Sequence, residues 1–155
     1  MAQLLLRHYI EHIAALLQPV AVARQNNAYT SIHAPVAVKA LDALCRTAED
    51  PHSSVAASRV AVLFSLLATS AVHMRFAKCI DSQDLFHKLR HEAHSNLSIA
   101  LEDSSKLSLT MDAAREETTL RNLENIMSAS LTLITLDVSR RVPLYHDLIT
   151  NQVFR

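Results

Sequence analysis

From Val60 to Met74 the chain carries no charged residue, no proline and no glycine. This uncharged run lies inside a longer apolar stretch, Val55 to Cys79, whose charges sit near its ends at Arg59, Arg75 and Lys78. Projected on a helix, Ser58, Ser65, Thr69 and His73 share one narrow stripe, and nearly everything else is apolar. A helix that is hydrophobic around most of its circumference has to be surrounded by other elements. The stretch reads as too short and too rich in hydroxyls to span a bilayer, which takes about 20 predominantly apolar residues. The expectation is therefore a central helix over about 54–79, wrapped by the other helices of a soluble bundle.

The chain has 155 residues, enough for one domain with a sizeable core. Fifteen basic side chains balance fifteen acidic ones and are spread along the chain. That distribution lacks the basic patch of an autonomous nucleic-acid binder or membrane-surface protein. Glycine is absent altogether. Dinucleotide fingerprints, phosphate-cradling loops, nucleophile elbows and tight hairpin turns all depend on glycine's backbone freedom, so each is excluded. Two cysteines, Cys45 and Cys79, cannot form a disulfide framework or a four-ligand zinc site. In apolar helical surroundings both read as buried thiols of an intracellular protein. The first residues, with Arg7, His8 and Glu11 inside the apolar pattern, do not read as a signal peptide.

Helical periodicity recurs along the chain. Leu5, Leu6, Tyr9, Ile10, Ile13, Leu16 and Leu17 predict the inner face of a first helix over 2–18, stopped by Pro19, with Arg7, His8, Glu11 and His12 on its outer side. The pattern dissolves from Val20 to Ala34. There Asn26-Asn27 is turn chemistry, and Tyr29, Ile32 and Pro35 read as anchors of a loop. A second helix starting at Pro35 and ending near Thr47 would use Val36, Val38, Leu41, Leu44 and Cys45 inside, and Ser53 or Ser54 could cap the central helix. An amphipathic helix over 83–106 places Leu85, Phe86, Leu89, Ala93, Leu97 and Ala100 inside, and His87, His91 and His94 outside. The last long helix, 113–138, shows a seam of Leu120, Leu123, Met127, Leu131, Ile134 and Val138, widened by Ile126, Leu133 and Leu136. Its C-terminal half is expected to pack on the 60–74 run. The fold class is thus all-α, an irregular antiparallel bundle of about five helices. The domain is placed at 1–142, with 143–155 a tail that holds at most a short helix around Tyr145–Ile149. A seam that opens toward its end without a partner predicts a domain cut short.

No group of residues carries a catalytic signature. His8 and His12 stand one turn apart, but a solvated polar face is the preferred reading because no third ligand accompanies them. His87, His91 and His94 form the most ligand-like cluster. Their spacing is not that of HExxH, however, and Lys88 and Arg90 would oppose a cation. His73, late on the most apolar helix, reads as a neutral core residue. Catalytic, cofactor-binding and metal-ligating residues are therefore all assigned as none. Ser65, Thr69 and His73 are the candidate polar lining of a pocket between helices. Hydroxyls bonded back to their own helix carbonyls are the favoured alternative.

Three blocks taken in order resemble the fungal-specific regulatory domain of zinc-binuclear-cluster transcription factors. They are Leu4–Ile13 followed by Leu16-Leu17-Gln18-Pro19-Val20, then Asn26–Val38 with its Asn-x-Tyr…Pro loop, and Leu63–Met74 ending in Ala-x-His. Leu131–Val138 resembles a buried helix of the same domain. The resemblance spans about Leu4 to Val138. It implies an all-α regulatory module in a nuclear regulator of RNA polymerase II transcription, with partners drawn from other proteins or the rest of its own domain. A small-molecule effector fits as well, whereas direct nucleic-acid binding and membrane association do not. In that family zinc belongs to a separate six-cysteine DNA-binding module, so no cofactor is expected in this chain. The family's Trp-x-x-His-Leu-type segment has only a faint counterpart in Tyr145-His146-Asp147-Leu148, which agrees with the front part of a longer domain. The competing readings are a stand-alone bundle that binds an apolar small molecule and, third, a His-ligated metal hydrolase.

Overall fold

The computed structural model of the chain describes residues 1–16, 27, 29–47, 56–76, 83–107 and 113–141. Among these the chain folds into five helices and no strand. The first helix, α1, is α-helical at Ala2–His8, passes through a π-helical turn at Tyr9–Ile13 and resumes at Ala14–Leu16. A second π-helical turn, Tyr29–His33, leads into α2, Ala34–Thr47. The chain continues through α3, Ala57–Phe76; α4, Gln83–Leu107; and α5, Ala113–Arg141.

Helix α3 is the hub, because α1, α2, α4 and α5 all pack on it. No residue from Val60 to Met74 is exposed, and Ala61, Leu66, Ala68 and Ala71 are completely covered. The small residues Ala61, Ser65, Ala68, Ser70 and Ala71 recur around its circumference, which lets neighbouring backbones approach from several sides. By length and composition, Ala57–Arg75 does qualify as a membrane-crossing segment, contrary to the expectation drawn from its hydroxyls. Most of that segment is buried inside the bundle, as in the core helix of a soluble protein.

The buried face of α1 departs from the predicted one at Ile10, within the π turn, and at His8, just ahead of it. An extra residue in the turn rotates the helix beyond it. Leu5, Leu6, Tyr9, Ile13 and Ala14 become the buried set, Ile10 faces outward, and His8 turns half inward from the predicted outer side. The side chains of Leu16 and Leu17 fall outside the described residues. The second π turn corrects the reading of 20–34 as loop throughout. It precedes Pro35, a residue that cannot make the usual helical N–H bond and crowds the carbonyl four residues back. Widening the turn there accommodates the ring. Ile32, expected as an anchor, is exposed; Asn27 is the anchor instead. Its buried side chain donates from Nδ2 to the Ala14 carbonyl (2.8 Å), and its Oδ1 accepts from the Tyr29 N–H (2.9 Å). Its carbonyl accepts the hydroxyls of Thr30 and Ser31. One buried asparagine thereby ties the end of α1 to the start of α2.

In α2 the inner face is Ala34, Ala37 and Ala40, flanked by partly buried Val36, Leu41 and Leu44. Val38 and the Cys45 thiol, predicted inside, are exposed. Alanines bring α2 close to its neighbours, so the larger residues are left at the edges. Helix α4 agrees with its predicted pattern, with Phe86, Leu89, Ala93 and Ala100 buried, Leu85 and Leu97 partly so, and His87, His91 and His94 exposed.

Helix α5 packs on α3 and α4 through Asn125, Ile126, Ala129, Thr132, Leu133 and Leu136. The predicted seam is overturned: Leu120, Leu123, Met127, Leu131, Ile134 and Val138 are all exposed. Polar contacts fix the rotation of the helix. Ser58 Oγ donates to Asn122 Oδ1 (3.0 Å), and Asn125 Nδ2 donates to Ser58 Oγ (3.5 Å). Arg90 grips Asp137 with two bonds of 3.1 and 2.8 Å. Turning the larger apolar stripe inward would break every one of these contacts. The proposed helix caps at Ser53 and Ser54, Cys79 and the 143–155 tail lie outside the described residues.

Candidate functional site

The polar stripe of α3 divides into a part that serves its own helix and a part that reaches across the bundle. Ser65 Oγ donates to the Val62 carbonyl at 2.8 Å, and Thr69 Oγ1 donates to the Ser65 carbonyl at 2.9 Å. Both hydroxyl protons are therefore committed to backbone, the back-bonded arrangement that satisfies such groups inside an apolar helix. Ser58, at the start of the stripe, is held by the two α5 asparagines. Of the three candidate lining residues, His73 is the one whose side chain bonds to another helix.

His73 Nδ1 lies 2.8 Å from His8 Nε2, so one imidazole donates to the other. The His8 ring also stacks at a tilt on His12, with centroids 4.8 Å apart. Burial, reinforced by neighbouring His73 and His12 and opposed by Glu11, pulls the His8 pKa down to about 4. Burial likewise lowers His73, with His12 adding to the effect. Both rings are thus neutral at physiological pH. A base with so low a pKa is poorly matched to proton abstraction near neutrality. Around this pair several buried polar atoms have no partner among the described residues: His73 Nε2, Ser70 Oγ one turn earlier on α3, and the Tyr9 hydroxyl. Burial raises the Tyr9 pKa far above the ordinary phenol value, so that hydroxyl stays protonated.

A second imidazole contact joins the start of α2 to α5, where Ser128 Oγ and His33 Nε2 stand 3.1 Å apart. A nucleophilic serine needs its histidine oriented by a carboxylate at the other ring nitrogen. Here His33 Nδ1 is buried without a partner among the described residues, and burial lowers the pKa of the ring. The arrangement fastens two helices together and lacks the third member of a catalytic relay. Among the described residues no group of three or more His, Cys, Asp or Glu side chains is placed to hold a metal ion. His87, His91 and His94 stand exposed along α4.

Pairings that sequence spacing does not foretell do much of the joining: His8 with His73, His33 with Ser128, Asn27 with Ala14, and Arg90 with Asp137. Each partner lies far away in sequence or is an ordinary turn residue, so periodicity carries no mark of it.

Against known proteins, the model of one family, the fungal specific transcription factor domain, matches residues 3–142. No curated protein and no solved structure matches the chain. The matched residues run from the first turn of α1 past the end of α5, taking in the Asn27 anchor, the enclosed α3 and the Arg90–Asp137 clamp. The chain belongs to the fungal-specific transcription factor domain family, and its role lies in the regulation of transcription.

Proposed function

We propose that this chain is a non-catalytic helical module that acts in the nucleus, in regulation of RNA polymerase II transcription, through contacts with other proteins or with the rest of its own polypeptide. The observation that carries this reading is the family match over residues 3–142. Two features support it. The reactive side-chain types of the core are committed to structural bonds, Ser65 and Thr69 to carbonyls of their own helix and His8 to His73 between two helices. The outer face of α5, in contrast, offers six large apolar side chains to solvent, the kind of surface that marks an interaction site. With two cysteines the chain cannot itself form the family's six-cysteine zinc cluster, so DNA contact belongs to a separate module.

The test is to fuse the chain to a heterologous DNA-binding domain and measure a reporter in fungal cells. Reporter output that differs from that of the DNA-binding domain alone, and that reverts when Met127 and Leu131 are replaced by lysine, supports the reading. Unchanged output contradicts it.

A second reading is an apolar small-molecule effector seated between α1 and α3. Its support is the buried Ser70 hydroxyl and His73 Nε2, one turn apart and both without partners among the described residues. An effector that hydrogen-bonds these atoms would raise the melting temperature by binding the native state alone. Ser70→Ala would abolish the rise.

A further inference from the structure

Helix α3 carries four hydroxyls, and three of them have partners. Ser65 and Thr69 bond to carbonyls of their own helix, and Ser58 is held by Asn122 and Asn125 of α5. Ser70, with no exposed surface, has no partner among the described residues, although a helical serine can bond back as Ser65 does. One turn later His73, 6% exposed, uses Nδ1 on His8 and leaves Nε2 buried without a partner among the described residues. Tyr9, which follows His8 on α1, is wholly buried, and its hydroxyl is in the same condition. Buried polar groups in folded proteins are hydrogen-bonded as a rule, so three exceptions around one helix–helix contact call for a common partner. We infer that the α1–α3 contact binds an uncharged, largely apolar molecule through a single hydroxyl group, which bonds Ser70 Oγ, His73 Nε2 and the Tyr9 hydroxyl.

Charge and donor count select that chemistry. The buried polar side chains among the described residues are amides, hydroxyls and the neutral His73 ring, with no carboxylate, ammonium or guanidinium. The two charged side chains of α1, Arg7 and Glu11, are exposed and pair with each other at 2.8 Å. A carboxylate, phosphate or ammonium brought to Ser70 and His73 would therefore be buried without a counter-charge, at heavy cost. The buried neighbours along both helices, Leu5, Leu6, Ile13, Leu66 and Leu67, are apolar, which suits a hydrocarbon body. A hydroxyl brings one proton and two lone pairs. When His73 carries its proton on Nδ1 and gives it to His8, Nε2 is bare; the ligand hydroxyl donates to it and accepts from Ser70 and Tyr9. When His8 is the donor instead, Nε2 carries the proton; the ligand accepts from Nε2 and one hydroxyl and donates to the other oxygen. Either tautomer is satisfied. A carbonyl, which only accepts, leaves the bare Nε2 of the first tautomer unpaired, and a hydrocarbon leaves all three atoms unpaired.

This inference rests on the reading of a small-molecule effector between α1 and α3, and names the chemistry of that effector. The probes are cyclohexanol, cyclohexanecarboxylate and cyclohexylamine, one ring with three head groups, added to the whole chain at neutral pH while the histidine ring nitrogens are followed by NMR. Cyclohexanol is expected to move the His73 Nε2 resonance saturably, and the two charged analogues to leave it in place at the same concentrations. Ser70→Ala and Tyr9→Phe, each with unchanged helical circular dichroism, should weaken cyclohexanol binding about tenfold. Binding of the carboxylate or the amine that is lost in Ser70→Ala overturns the hydroxyl assignment and leaves the effector reading standing. No saturable shift from any of the three overturns both, as does a water held at Ser70 and His73 that cyclohexanol does not displace. Cyclohexanol binding that ignores both substitutions places the ligand elsewhere and overturns the inference.

Discussion

Helices α3 and α5 each carry an uncharged run, Val60 to Met74 and Asn125 to Leu136, and the two runs meet solvent in opposite ways. The middle of α3 has no exposed residue, and small side chains on several sides let four neighbours close around it. Helix α5 has two apolar stripes, and the one built from the larger residues points outward. Its inner stripe is mixed, with Asn125 and Thr132 beside Ile126, Ala129, Leu133 and Leu136. Hydropathy alone ranks the outer stripe higher. What decides the rotation is fit against α3 and the demands of Ser58 and Arg90, which need Asn122, Asn125 and Asp137 on the inner side. The comparison teaches that apolar content says how much surface a helix must cover, while small and polar residues say which side is covered from within.

The strongest way to break that contrast is to remove volume from each helix. Leu66→Ala, at a site with no exposure, should cost about 2–5 kcal/mol in urea unfolding. Leu131→Ala, at 60% exposure, should stay within about 0.5 kcal/mol. Similar losses at the two sites would erase the distinction. Next in size is Asn27→Ala, which removes the bonds to Ala14 and Tyr29 and leaves a buried carbonyl and N–H unsatisfied. It should destabilise by about 1–3 kcal/mol.

Acid should sharpen the role of the α1–α3 contact. His8 and His73 are held below the ordinary histidine value in the folded chain, His8 at about 4. The unfolded chain therefore binds more protons between that value and about 6.5, and stability rises with pH across this window. Stability is complete above about 6.5 and is lost as pH falls through the folded value, so the melting temperature should drop on the order of 5 °C between pH 7 and pH 4. His8→Gln should flatten that slope relative to the parent chain. The smallest effect belongs to the clamp on α5. Arg90→Ala, at a pair that is about one-third exposed on both sides, should cost about 0.5 kcal/mol in the same urea measurement.

Much of this is legible in the order of residues. The uncharged run from Val60 to Met74 marks the hub, and the spacing of Phe86, Leu89, Ala93 and Ala100 marks the buried side of α4. The blocks around Asn27–Tyr29 and Leu63–Met74 point to the family whose model matches residues 3–142. Three things are not legible, each for a physical reason. The π turn at Tyr9–Ile13 shifts register by a residue, which a fixed helical period cannot represent. The alanine face of α2 is inner because alanines permit close approach, although Val38 and Cys45 are more apolar in appearance. The His8–His73 and His33–Ser128 contacts join residues 65 and 95 positions apart, a relation that only the packed helices create.

Native-state hydrogen exchange on α3 tests the enclosure of that helix most directly. Enclosure on all sides predicts that the amides of Leu63 to Ala71 exchange only through global unfolding, with protection equal to the stability measured by urea. Exchange of those amides at the lower protection of α5's outer half would show that α3 opens on its own, and would contradict the account of it as the enclosed centre of the bundle.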